Sequence, residues 1–341
     1  MLEPRDLLPF VSAAQAAAAE VWEAPGVTIR RIAGGANNAL FQLQVEGQCY
    51  ACKVFVPDER RRAVREYGTL RLLRAAGLDV APEPLLLDES CTILPLPVVI
   101  YRWIEGRPLG PAVASGQLSA LLACYQAVVH LRQGDFADAE LPTAWFHWFD
   151  RQPYLAELDD WLDRYGSWLA ATDVQGAVLH ARLARLVASN REFFRGTSVA
   201  VSRGQFPLRL CHVDTNLANA IWCPDGRVRW VDWEYSGWGD PALNLAELRW
   251  HGSTAALNAA QQGWLRQNYC RPADDPSFED RLVLWDRLLA TRWPFLVLRM
   301  YWSHFHGPDR VRLSLPTADP GELRARIIRF IERAERLAAE Q

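Results

Sequence analysis

Three short alternating segments within residues 27–56 set the architecture of the N-terminal part. They read VTIRRI, ALFQLQVE and CYACKVFV, and the turns AGGANN and EGQ separate them. Alternation of apolar and polar residues predicts strands with one buried face, and short glycine-containing turns connect neighbouring antiparallel strands. The segment therefore predicts a three-stranded antiparallel sheet.

Helical patterns flank this sheet. An alanine-rich segment before it, residues 5–22, and a charged segment after it, DERRRAVREYGTLRLLRAAG, space their apolar residues as helices do, and Gly77 is placed to cap the second. Two further strands are predicted around residues 85–87 and 98–103. The first 104 residues therefore predict a small α+β lobe.

The rest of the chain, residues 105–341, is predicted to be mostly helical. Apolar residues recur three and four apart in residues 118–131, 154–169 and 178–194. A last helix is predicted at the C-terminus, with Asp319 as its N-cap and Pro320 at its first position. The prediction is an α+β chain with an antiparallel-sheet lobe at 1–104 and a larger helical lobe at 105–341.

Composition limits the classes of partner. A net charge of −3 over 341 residues gives no sign of the basic surface that nucleic-acid binding requires. Seven cysteines, an odd number set mostly among apolar neighbours, are typical of reduced thiols, and no run of residues has the length and apolarity of a membrane span. We therefore expect a cytoplasmic protein that binds neither nucleic acid nor membranes.

Residues 208–249 concentrate the polar side chains that can carry chemistry. His212, Asp214 and Asn219 occur in CHVDTNLANAIW, and Asp232 ends the apolar strand RVRWVD after the turn CPDG. A carboxylate can orient a hydroxyl and accept its proton, while an amide and a second carboxylate supply oxygen ligands for a hard cation such as Mg²⁺. Phosphoryl transfer from a nucleotide to a hydroxyl requires such a set.

Lys53 is the one cation in the apolar strand CYACKVFV. A buried lysine needs an anionic partner. Glu66, in VREYGTLRLL of the following helix, is predicted to supply it.

CHVDTNLANAIW followed by VRWVDWEYSGWGDPALNLAEL resembles the catalytic loop and metal-binding motif of the aminoglycoside phosphotransferase and choline kinase superfamily, which shares the protein-kinase-like fold. The resemblance implies an ATP-dependent kinase with two lobes. It makes Asp214 the catalytic aspartate, Asn219 and Asp232 the Mg²⁺ ligands, and His212 a structural support of the catalytic loop. Glu234 either assists the metal through water or holds the loop.

The N-terminal lobe carries the resemblance independently. AGGANNALFQLQ resembles the family's glycine-containing hairpin, where backbone N–H groups meet phosphate oxygens, and the lysine and helix glutamate match the pair that positions the α and β phosphates. VVIYRWIEG occupies the position of the hinge that faces the adenine. The resemblance thus assigns ATP-binding roles to Gly34, Gly35, Asn38, Lys53, Glu66, Tyr101 and Trp103.

Two positions depart from the family pattern. Val213 stands where the family usually has glycine, which an extended backbone would accommodate. Asn244 stands where many members have aspartate, which leaves the anchoring of the following helix to Asn244 or Asp240.

The acceptor is expected to be a small molecule, and only a few sequence features indicate its chemical class. Aromatic residues at 145–148, 285 and 293–305 offer faces for an ammonium group, and DWEYSG is close to the form seen in choline, ethanolamine and thiamine kinases. An amino-alcohol-like acceptor is therefore expected. Helix packing also explains these aromatics. The acidic residues at 157–163 could instead attract an aminoglycoside, but a solvated helix face explains them as well.

Two other functions are alternatives to a small-molecule kinase: a protein kinase and a nucleotide-binding scaffold. The stretch from Asp232 to Asp240 is too short for the activation segment of a protein kinase. A nucleotide-binding scaffold without catalysis remains an alternative because Val213 departs from the pattern. The complete set of motif carboxylates and lysine argues against it.

Overall fold

The structure is a computed structural model. It describes residues 3–32, 38–110, 112–136, 140–147, 149–197, 204–254, 257–307 and 319–340. Gly34, Gly35 and Trp148 lie outside these described residues. The chain forms two compact units: the first holds the described residues of Met1–Trp145 and Leu210–Trp238, and the second those of Phe146–Arg209, Gly239–Asp309 and Pro316–Gln341. The predicted lobe boundary at residue 104 stays a prediction.

An antiparallel sheet dominates the N-terminal part of the first unit. The turn between its third and fourth strands places Glu46 at φ 49° and Gly47 at φ 79°, the two left-handed residues that a tight hairpin turn requires. Its strands, in the spatial order β1-β2-β3-β4-β6-β5, are β1 (Val21–Ala24), β2 (Val27–Ile32), β3 (Asn38–Val45), β4 (Gln48–Phe55), β5 (Pro84–Asp88) and β6 (Val98–Arg102).

Two helices accompany this sheet. Helix α1 (Leu8–Ala17) buries Leu8 and Val11 in one core with Ile29 and Phe41 of the sheet. Helix α2 (Arg62–Ala75) ends as predicted at Gly77, which has φ 71°, and Leu78 N–H donates to Leu73 O at 3.0 Å. This left-handed C-terminal cap satisfies carbonyls that the helix end leaves unpaired.

The predicted strands at 27–56, 85–87 and 98–103 are confirmed. The predicted helix at 5–22 is wrong at its C-terminal end. Ala18 turns the chain with φ 50°, and Trp22 pairs with Ile29 in an added edge strand. Backbone hydrogen bonds to β2 outweigh the helical pattern of the alanine run there.

The first unit also contains α3 (Ser115–Val129) and the short strands β7 (Arg107–Pro108), β9 (Ala220–Trp222) and β10 (Val228–Trp230). β9 and β10 form an antiparallel hairpin with Ala220 opposite Trp230. The Trp230 ring packs against Tyr125 of α3, with centroids 5.8 Å apart. Strands β8 (Arg209–Cys211) and β11 (Gly237–Gly239) pair with each other.

The second unit is helical. The predicted helix at 154–169 is present as α4 (Gln152–Trp161), a π-helical turn (Leu162–Gly166) and α5 (Ser167–Ala170). Asp319 caps the last helix as predicted, since its carboxylate accepts from Glu322 N–H at 2.9 Å. The other helices are α6 (Val174–Gly196), α7 (Pro241–Trp250), α8 (Ala259–Asn268), α9 (Phe278–His306) and α10 (Pro320–Glu340).

The predicted fold class is confirmed. The chain combines an antiparallel-sheet N-terminal lobe with a mostly helical C-terminal lobe in a mixed α+β architecture. Among the helices that the structure describes, none has both the length and the apolar composition needed to cross a membrane.

Candidate functional site

Lys53 lies at the centre of a buried group of charges in the first unit. Its Nζ is 2.6 Å from Glu66 Oε2, 2.5 Å from Asp232 Oδ1 and 3.4 Å from Glu234 Oε2. Burial alone would lower the pKa of Lys53, but the carboxylates of Asp232, Glu66 and Glu234 raise it well above its ordinary value. The predicted ion pair with Glu66 is therefore present, and Lys53 is charged.

Strand alternation explains why Lys53 faces this group. Cys52 and Val54, its neighbours on β4, point into the core that α1 covers. Successive side chains of a strand point to opposite faces, so Lys53 points to the other face of the sheet. Glu66 reaches the same face from α2.

Asp214 lies in a tight loop after β8. Its N–H donates to His212 O at 3.0 Å, and the N–H of Thr215 donates to Val213 O at 3.0 Å. The Asp214 carboxylate is partly exposed and accepts from Asn216 N–H at 3.3 Å. The loop thus presents a carboxylate with access to solvent, as a group that receives a proton from a substrate must have.

His212 is a packed, neutral support of this loop. It is 1% exposed, and its ring lies 4.8 Å from Trp230 and 4.4 Å from Trp233, measured between centroids. Burial lowers the pKa of His212 to about 4, and its Nε2 donates to Val231 O at 3.0 Å. The ring therefore ties the Asp214 loop to the segment just before Asp232.

Asn219 and Asp232 are brought together by the β9–β10 hairpin. Val231 N–H donates to Asn219 O at 2.8 Å, directly beyond the last pair of the hairpin. Asp232 has φ 65°, in the left-handed region that aspartate tolerates better than most residues. The backbones of the two predicted metal ligands therefore lie close together at the open end of the hairpin.

Val213 does not have the extended backbone that would accommodate a valine without strain. Its φ of 73° lies in the left-handed region, where a β-branched side chain is strained. The tight turn, with consecutive backbone hydrogen bonds around Asp214, accompanies this conformation. A glycine would adopt the same conformation without strain.

Asp240 anchors helix α7 in the second unit. Its Oδ1 accepts from Ala242 N–H at 2.9 Å, which caps the helix. Its carboxylate also pairs with Arg281 at 3.0 Å and accepts from Trp285 Nε1 at 2.7 Å. Of the two residues that the sequence offered for this role, Asp240 makes the capping contact, while Asn244 is buried inside the helix.

Glu234 is held by Asn38 and by Arg62, and the sequence singled out only the first of them. Arg62 lies 3.3 Å from its Oε1, and Asn38 donates to its Oε2. Arg62 lies one helical turn before Glu66 and so shares its buried face. That spacing was the available signal.

The carboxylates gathered around Lys53 favour a divalent cation at Asp232. Ligand atoms of Glu66, Asp232 and Glu234 lie within 4.8 Å of one another. Burial, together with the charges of Glu234 and Glu66, raises the pKa of Asp232 against the opposing effect of Lys53. A cation would relieve this repulsion, and the carboxylate of Asp232 with the amide oxygen of Asn219 is the kind of oxygen set that Mg²⁺ prefers.

The two predicted hinge residues, Tyr101 and Trp103, lie in different surroundings. Tyr101 is buried in β6 opposite Ala51, while the N–H of Trp103 already donates to Cys49 O at 3.1 Å. The Trp103 side chain lines a cavity of about 620 Å³ that also takes in Arg102 and the end of α2. Lys53 and the motif carboxylates do not line this cavity.

Several residues considered for the acceptor serve packing in the second unit. Trp285 and Phe295 are 2% and 0% exposed. Glu157 pairs with Arg292 at 2.7 Å, which takes one acidic side chain out of the cluster at 157–163. These contacts favour the packing explanation for those residues.

Comparison with known proteins identifies the family. The model of the phosphotransferase enzyme family matches residues 28–276, so the chain belongs to this family. A search of curated protein sequences gave no significant match.

Solved structures with the same fold include two groups of kinases. A choline/ethanolamine kinase family protein from Mesorhizobium loti has 21% identity and a TM-score of 0.59, with 96% of this chain and 93% of that chain covered. A choline kinase from Streptococcus pneumoniae has 16% identity and a TM-score of 0.55, covering 97% and 98%. A spectinomycin phosphotransferase in complex with ADP and spectinomycin has 13% identity and a TM-score of 0.60, covering 91% and 92%. The chain therefore has the fold of these kinases.

Proposed function

We propose that the protein is an ATP-dependent kinase that transfers the γ-phosphoryl group to a hydroxyl of a small acceptor. The observation that carries this proposal is the group formed by Lys53, Glu66 and Asp232, joined through the β9–β10 hairpin to the loop with Asp214. Membership of the phosphotransferase enzyme family supports the reaction class. The ADP bound to the spectinomycin phosphotransferase supports the nucleotide.

Each of these residues has a separate role in the proposed reaction. Lys53, held by Glu66, binds phosphate oxygens of the nucleotide. Asn219 and Asp232 hold Mg²⁺, which supplies charge neutralisation for the phosphates when bound. Asp214 orients the acceptor hydroxyl and receives its proton as the in-line transfer proceeds.

The proposal extends to the other contacts with the nucleotide. Gly34, Gly35 and Asn38 would face the phosphates through their backbone N–H groups. Tyr101 and Trp103 would lie near the adenine. The Trp103 N–H is engaged by Cys49, so a contact from this residue would use its carbonyl or side chain. A cytoplasmic location is part of the same proposal.

The acceptor we propose is an amino alcohol of the choline, ethanolamine or thiamine type. The choline kinase and the choline/ethanolamine kinase family protein share the fold, and DWEYSG occurs at Asp232. An aminoglycoside or another antibiotic is the second candidate, which the fold shared with spectinomycin phosphotransferase favours. The charged state of Lys53 and its intact carboxylate partners weigh against a scaffold without catalysis.

An acceptor screen tests the proposal. ADP release would be measured with Mg·ATP and panels of amino alcohols, sugars, thiamine-like compounds and aminoglycosides. We expect saturable turnover with one acceptor class and none after chelation of the metal. Tight Mg·ATP binding with no acceptor-dependent ADP release in any panel would favour the scaffold instead.

A further inference from the structure

Arg62 is a buried cation to which the proposed reaction gives no role. Its Nη1 donates to Asn38 Oδ1 at 3.2 Å and lies 3.3 Å from Glu234 Oε1, and its Nη2 donates to Val56 O at 2.9 Å. Its Nε is 3.2 Å from Asp58 Oδ2. One guanidinium therefore joins the start of β3, the connection before α2 and the segment around Glu234.

Glu234 uses both carboxylate oxygens within this cluster. Oε1 faces Arg62, while Oε2 accepts from Asn38 and lies 3.4 Å from Lys53 Nζ. The Glu234 side chain is 3% exposed, whereas that of Asp232 is 30% exposed. A direct metal ligand must turn a free lone pair to the ion, and a water-mediated one must reach water. Asp232 meets these conditions and Glu234 does not.

We propose that Arg62 is a positioning residue that holds Glu234 against Asn38 and leaves Asp232 as the carboxylate of this segment that binds Mg²⁺. This inference rests on the proposed function, in which Asp232 is a metal ligand. It selects the second of the two roles that the sequence allowed for Glu234, that of holding the loop.

The same contact protects the Lys53–Glu66 pair. Without the charge of Arg62, the Glu234 carboxylate would have Lys53 as its remaining cation among the described residues in contact with it. Glu234 would then draw Lys53 away from Glu66 and from the phosphates, because a buried carboxylate requires a counter-charge. Arg62 thus acts on nucleotide binding through Glu234.

Metal affinity tests the role of Glu234. Mn²⁺ would replace Mg²⁺ and be titrated into the full chain with ADP, following loss of the free-ion EPR signal. We expect Asp232→Asn to weaken Mn²⁺ binding by at least about tenfold and Glu234→Gln by less than about threefold. Equal losses in the two variants would overturn the inference. No loss in Asp232→Asn would instead overturn the metal site of the proposed function.

Nucleotide affinity without metal tests the role of Arg62. ADP binding would be measured in EDTA for Arg62→Met, Arg62→Lys and the double variant Arg62→Met/Glu234→Gln. We expect weaker binding in Arg62→Met, partial rescue in Arg62→Lys and full rescue to the level of Glu234→Gln in the double variant. Arg61→Met is the matched control, because the Arg61 side chain is 71% exposed.

Wild-type ADP affinity in Arg62→Met, or strictly additive effects in the double variant, would contradict the proposal. If Arg62→Met does not fold, Arg62→Lys compared with Arg61→Met supplies the same test: unchanged ADP affinity in Arg62→Lys would then count against it.

Discussion

At Val213, the cost of backbone strain opposes the stabilisation gained by burying the side chain. A side chain in the left-handed region costs about 1–2 kcal/mol, and more for a β-branched residue. The same side chain is 6% exposed, and burial of a valine contributes about 1.5 kcal/mol or more. The two effects are of similar size, which explains how the loop tolerates a valine in this conformation.

Val213 therefore predicts an unusual order of stabilities. We expect Val213→Gly to lie within about 1 kcal/mol of the wild type, because lost burial is offset by relieved strain. Val213→Ala should be less stable than Val213→Gly, since it loses burial and keeps a Cβ in the left-handed region. The free energies of unfolding would be measured by urea denaturation.

Val228 is the matched control for this comparison. It is 2% exposed in β10 and is not among the residues with positive φ. Its alanine variant should be more stable than its glycine variant, the ordinary order for a strand. The same ordinary order at Val213 would show that strain there is negligible.

Lys53 and Arg62 show how far the sequence alone could predict a buried charge and its partner. Lys53 stands alone in an apolar strand, so its need for a partner could be predicted and Glu66 could be named. Arg62 stands among other arginines, and a charged run is usually a solvated helix face. Its spacing from Glu66 indicates a shared helix face, but the burial of that face is set by contacts distant in sequence.

At the scale of elements, length decides which patterns could be predicted. β2, β3 and β4 alternate over six to eight residues and were predicted with nearly correct ends. β1 has four residues and directly follows an alanine-rich helix, so it was predicted as part of that helix. Pairing with β2, a tertiary contact, determines its conformation.

The start of helix α7 contains a pH-sensitive contact. His147 is 3% exposed and its Nδ1 accepts from the N–H of Asp240 at 3.1 Å. Burial lowers the pKa of His147 to about 3, from an ordinary value of 6.5. The folded state therefore keeps this ring neutral where the unfolded chain would protonate it.

This contact predicts loss of stability in acid. The stabilisation is fully present above pH 6.5 and falls as the pH decreases towards 3, because only the unfolded state gains the proton. At pH 5 the loss from this residue should be about 2 kcal/mol. Urea unfolding at pH 7, 6 and 5 should show a smaller acid loss in His147→Asn than in the wild type. Identical losses would show that His147 is not held neutral.

At the scale of the whole molecule, the fold class and the reaction class were within reach of the sequence. The order of strands and helices gave the α+β architecture, and the motif around Asp214 and Asp232 indicated phosphoryl transfer before any contact was known. Acceptor choice was not within reach, because an aromatic residue in a helix has the same pattern in a core as in a binding site. Trp285 and Phe295 show this, since both are buried.

In the proposed reaction, Asp214 serves the acceptor hydroxyl while Lys53 and the metal ligands serve the nucleotide. The most direct measurement compares kcat, with the acceptor found by the screen, and the Kd of Mg·ADP in wild type and Asp214→Ala. We predict that kcat falls by about 10²- to 10⁴-fold while the Kd changes by less than about twofold. An Asp214→Ala variant that keeps kcat within about threefold of the wild type would contradict this role of Asp214.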